Sequence, residues 1–118
     1  MNKFELFTMI YYAFDLYYED SPSELLGQFL SEMSPFTFKE TGSADPAVYS
    51  AFCNFVKEEI TIDNSYELAM KYVKSIHFFD LDLVTIFQSV DITKWKEGCK
   101  KYLSSEHKGQ DEPIRNAD

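Results

Sequence analysis

KFELFTMIYYAFDLYYE, residues 3–19, is the stretch whose reading decides the fold. On a helix of 3.6 residues per turn, Phe4, Leu6, Phe7, Ile10, Tyr11, Ala13, Phe14, Tyr17 and Tyr18 cover about two-thirds of the circumference. Glu5, Thr8, Tyr12, Asp15 and Glu19 fall into one narrow stripe. A helix so apolar must be surrounded by others, so residues 3–19 are expected to be the central helix. Its stripe is expected to open either to solvent or to a partner.

The flanking chain supplies helices to surround it. Residues 21–33, SPSELLGQFLSEM, start with Ser21 three before Glu24, the spacing of a capping box, and Pro22 suits a first helical position. Leu25, Leu26, Phe29, Leu30 and Met33 form its inward face, and Ser34-Pro35 ends it. A loop over 34–45 follows, then Asp45 as a helix cap with Pro46 behind it. The third helix is expected over 46–60, burying Val48, Tyr49, Phe52, Phe55, Val56 and Ile60. Asp63 or Ser65 would cap a fourth over 65–77, Asp80 a fifth over 81–89, and Asp91 or Thr93 a sixth over 93–104. Gly98 weakens the last of these by about 1 kcal/mol relative to Ala. The expected architecture is all-α, a compact bundle of five to six helices around the aromatic-rich first. Residues 1–104 form one domain, and 105–118, with little to bury, form a flexible tail.

Composition narrows the function. The chain has 118 residues, 45% hydrophobic and 17% aromatic, enough for a real core. Its formal charge is −9 and its pI about 4.6, which argues against direct nucleic-acid binding and against anionic membranes. The acidity is uneven: residues 1–91 carry fifteen acids against five lysines, whereas 92–108 are net basic. The longest uncharged run near the start, Leu6–Phe14, is too short to span a bilayer, and Glu5 with four tyrosines does not read as a signal peptide. Two widely spaced cysteines, Cys53 and Cys99, fit reduced thiols in a cytoplasmic protein.

Reactive chemistry has little footing. No Gly-rich phosphate loop occurs, and His77 and His107 are far apart in the chain. Both cysteines fall on or beside apolar faces, where a thiol packs as a small hydrophobe. The paired acids Glu19/Asp20, Glu58/Glu59 and Asp80/Asp82 lie at helix ends or wet faces, where capping and the helix dipole explain many of them. No catalytic residue, cofactor or metal site is therefore expected.

The segment LSEMSPFTFKETGSADPAVYSAFCNFV, residues 30–56, resembles a stretch of the small helical immunity proteins of bacterial polymorphic and contact-dependent growth inhibition toxin systems. The likeness lies chiefly in the wording F-x-x-x-G-S-A-D-P-A-x-Y. It implies a cytoplasmic protein that binds and neutralises one cognate toxin domain; such toxins are often nucleases with basic clefts. Negative potential would then speed association with a basic surface. The residues expected to meet it are Glu5, Asp15, Glu19 and Asp20, then Glu58, Glu59 and Asp63, with Tyr12 as a central contact.

The alternative is a non-catalytic helical adaptor, holding a peptide or partner helix in an aromatic groove near Phe36, Phe38 and Trp95. Phe36 and Phe38 either fold back onto the core or anchor an interface rimmed by Lys39, Glu40 and Asp45. An enzyme would instead need a closed pocket with converging carboxylates or an activated cysteine.

Overall fold

The computed structural model describes residues 1–36, 42–104 and Ile114. Among these the secondary structure is helical: α1 (Lys3–Asp20), α2 (Glu24–Met33), α3 (Pro46–Phe55), α4 (Ile62–Ser75), α5 (Leu83–Gln88) and α6 (Ile92–Ser104). The bundle is all-α, and α1 is its axis. Helices α2, α3, α4 and α5 pack against α1. Helix α6 reaches it through Tyr102, whose ring centre lies 6.0 Å from that of Tyr12.

Local chemistry sets the helix ends. Asn2 caps α1 in a reciprocal box with Glu5, both bonds 2.8 Å long. Asp45 caps α3, accepting from the Ala47 amide, with Pro46 opening the helix. Asp91 accepts from the Lys94 amide at the start of α6. Other caps sit elsewhere than the sequence suggests. The Ser21 amide closes α1 by donating to the Tyr17 carbonyl, so Ser21 belongs to α1 and Ser23 caps α2. Thr61 and Asn64 form the box that starts α4, which leaves Asp63 in its first turn and Ser65 buried inside it. Asp82, not Asp80, caps α5, accepting from both the amide and the hydroxyl of Thr85. Helix α3 stops at Phe55, and Phe55 itself is 43% exposed rather than buried.

The core is a chain of ring contacts radiating from α1. Phe7 meets Phe52 at 5.2 Å, and Phe52 meets Tyr72 edge-on at 4.8 Å. On the other side Phe14 meets Phe29 and Phe87, and Phe87 meets Trp95. Such pairs add about 0.5–1.5 kcal/mol each beyond simple burial. Trp95 is fully buried, donating from Nε1 to the Ser65 hydroxyl at 2.8 Å, so it belongs to the core and not to a surface groove.

The stripe on α1 is corrected in its middle. Thr8 is fully buried and donates to the Phe4 carbonyl within its own helix. Tyr12 is only 4% exposed, covered by the rings of Phe36, Tyr11 and Tyr102. It is therefore no central contact for a partner. Phe36 lies over α1 but keeps a free face, at 43% exposure. Phe38, Lys39 and Glu40 lie outside the described residues. So do 105–113 and 115–118 of the expected tail, but Ile114 is fully buried against Gly98 and Met9.

Candidate partner-binding site

The eight residues expected at an interface do not form one face. Glu5 is half-buried and engaged in the α1 capping box. Glu19 lies fourteen residues further along the same helix, about 21 Å away at 1.5 Å per residue. Glu58 and Glu59 are exposed in the α3–α4 connection. The preceding helix is tied to the start of α1, where the Lys3 ammonium donates to the Cys53 carbonyl at 2.9 Å. Asp63 is exposed and lies 3.7 Å from Lys96 of α6, a surface pair of little net energy.

Asp15, Glu19 and Asp20 do gather, at the C-terminal part of α1. Asp15 and Glu19 are four apart on the helix, a like-charge spacing that destabilises it by a few tenths of a kcal/mol, about 0.2–0.5. No basic residue occupies the last turn. The helix C-terminus carries partial negative charge, so acids there cost about 0.3–1 kcal/mol each at low salt. Asp20 faces a separate cleft whose walls include Tyr17, Val90 and Lys94.

Asp15 points into a cleft of about 470 Å³ between α1 and α2. Tyr11, Tyr18, Gly27 and Leu30 help to line it. Gly27 explains its shape. A Cβ there would meet the Tyr18 ring at 3.3 Å, so the missing side chain lets that ring lie against α2. Burial, and then the charge of Glu19, raise the Asp15 carboxyl above the ordinary aspartate range. Burial, and then Asp15, raise the Tyr11 hydroxyl likewise, partly offset by Ser34. The far wall is fixed because the amides of Ala44 and Asp45 donate to the carbonyls of Ser34 and Glu32, both at 2.9 Å.

A second concavity, apolar and about 220 Å³, lies where α2, α3 and the end of α4 meet. Phe29, Met33, Val48, Tyr72, Ile76 and Phe78 form most of its wall. Beside it Phe79 is 78% exposed and holds a φ of 53°, a left-handed backbone that is rare for a bulky residue. Its ring lies edge-on to Phe78 at 5.0 Å. Trp95 is buried away from this groove, and Phe36 keeps its exposed face elsewhere on the surface.

Burial pushes the Cys99 thiol up to about 12, which makes it a poor nucleophile near neutrality. Cys53 is half-buried, and His77 is exposed at the groove. Among the described residues no group of three or more His, Cys, Asp or Glu is placed to hold a metal ion. Nor, among them, is any helix long and apolar enough to cross a membrane.

Sequence reading found Asp15, Glu19 and Asp20 but missed what surrounds them. Gly27 inside an otherwise good helix was the available signal for Tyr18, since an interior glycine often marks a close approach. For the groove, the signal was His77-Phe78-Phe79, two adjacent aromatics outside any helical period.

No protein-family model, no curated protein and no solved structure matches this chain.

Proposed function

We propose that this protein is an immunity-type inhibitor: a non-catalytic, cytoplasmic binder that neutralises a cognate toxin domain by electrostatic and steric occlusion. The toxin surface it meets is basic, as in a nuclease cleft. The observation that carries this reading is that Asp15, Glu19 and Asp20 all lie in the C-terminal part of α1, with Glu19 and Asp20 exposed and no basic residue in the last turn of that helix. A cationic surface complements them on binding. The charge of −9 and the resemblance over residues 30–56 support the same class. Glu58 and Glu59, exposed elsewhere on the surface, add to the long-range field without belonging to the contact.

The test takes as partner the toxin-like domain that this reading expects in a neighbouring reading frame. A triple variant, Asp15→Asn, Glu19→Gln and Asp20→Asn, should associate about tenfold more slowly at low salt, with the difference shrinking as salt screens the field. It should also protect host cells poorly while retaining its helical circular dichroism. Unchanged stopped-flow association rates across the salt series contradict the reading.

The apolar groove favours a second reading, a helical adaptor that seats a partner helix against Phe29, Met33 and Phe78, with Phe79 as an exposed anchor. Binding of that kind depends little on salt and is lost on Phe79→Ala. The two readings therefore separate in one pair of measurements.

A further inference from the structure

We propose that the cleft between α1 and α2 seats a guanidinium side chain of the basic protein partner, with Asp15 as its counter-ion and Tyr11 and Tyr18 as its aromatic walls. The proposal deepens the reading above by naming the group that the acidic end of α1 receives.

Three observations converge on it. The cleft, about 470 Å³, accommodates a side chain of arginine size with room for its solvent. Its one carboxylate of its own, Asp15, is half-buried among apolar and neutral polar walls. The site therefore favours a cation over a neutral or anionic group. Its walls include Tyr11 and Tyr18, and a guanidinium both stacks on an aromatic ring and forks onto a carboxylate. Lysine satisfies the charge but not the planar fit.

Gly27 lets the Tyr18 ring sit close to α2. A glycine inside α2 costs about 1 kcal/mol of helix stability relative to alanine. What it permits here is the close seat of Tyr18, 3.3 Å from where a Cβ would stand. The Tyr18 ring thus stands at the wall of the cleft before any ligand arrives, which lowers the ordering cost of binding. Leu30, itself buried, adds an apolar wall beside Asp15.

The experiment titrates the 118-residue chain with N-acetyl-arginine amide and follows the Tyr11, Tyr18 and Asp15 resonances by NMR. N-acetyl-norleucine amide serves as the neutral probe and free agmatine as the small-molecule probe. The arginine derivative should give a saturable millimolar response confined to the cleft, weakened about tenfold by Asp15→Asn, as loss of one charge-assisted contact implies. Tyr18→Leu, which keeps the carboxylate, should weaken it as well. Equal binding of the norleucine probe, an unchanged affinity in Asp15→Asn, or shifts spread over Glu58 and Glu59 would overturn the proposal. So would agmatine binding far more tightly than the peptide-like probe, since the occupant would then be a free small cation. A silent cleft alongside salt-sensitive association with the toxin domain removes this inference and leaves the proposed function standing.

Discussion

Gly98 sits in the middle of α6, and replacing it with alanine sets two effects against each other. In an ordinary helix the change gains about 1 kcal/mol. Here the new Cβ would stand 3.0 Å from Ile114 Cγ1, 3.3 Å from Ile114 Cα and 3.5 Å from Met9 Cε. Carbon atoms rest at about 3.5–4.0 Å, so two of these contacts are too short. Overpacking a well-filled site costs about 1–3 kcal/mol. The Ile114 main chain is one of the atoms that must move, and that favours the upper part of the range. The expected net result for Gly98→Ala is a loss of up to about 2 kcal/mol, or up to about 8 °C in Tm. In an Ile114→Ala background the 3.0 Å contact disappears and the local chain can shift. There the same substitution should stabilise by up to about 1 kcal/mol, even though Ile114→Ala by itself costs about 2–5 kcal/mol. Urea unfolding of the four proteins, followed by far-UV circular dichroism, gives the coupling directly. Equal stabilisation by Gly98→Ala in both backgrounds would refute the seating of Ile114 on α6.

Because the Asp15 carboxyl is raised, the native state holds its proton more tightly than the unfolded chain does. Its protonated form stabilises fully below the unfolded value, and that contribution is lost as pH rises through the raised folded value. Asp15→Asn should therefore gain stability relative to wild type as pH climbs through that window, and a flat difference between the two denaturation series speaks against a desolvated Asp15. Trp95→Phe removes the donor to Ser65 and leaves a void, so thermal unfolding should report a loss of about 1–3 kcal/mol; a neutral effect contradicts the buried bond. At Phe79 the left-handed backbone reverses the usual ranking: Phe79→Gly should be more stable than Phe79→Ala by about 1 kcal/mol, and alanine equalling glycine in urea titration counts against the strained φ. Cys99 should stay unreactive toward Ellman's reagent in the native protein and react once the chain unfolds, whereas rapid native-state labelling of both thiols is incompatible with its burial.

What the sequence by itself determined was whatever depends on residues a few positions apart. The apolar circumference of residues 3–19 required other helices around it, and α1 is the axis of the bundle. Asp45 before Pro46 marked the start of α3, and Asp91 that of α6, because a cap needs only its own side chain and an amide two or three residues on. Even here neighbours competed: Ser21 was claimed by the end of α1, and Thr61 found a reciprocal partner in Asn64 that Asp63 lacked. Tertiary structure decided what lies over each helix. Thr8 and Tyr12 look outward on an isolated helix, yet Tyr12 is covered by Phe36 and by Tyr102, which lies ninety residues away in the chain. The acids Asp15, Glu19 and Asp20 were legible as a local run, but the cleft at Asp15 is built by two helices and a returning loop, with Gly27 of one helix beside the Tyr18 ring of the other. Helical periodicity says which side chains avoid water; it carries no record of which distant segment returns to exclude it.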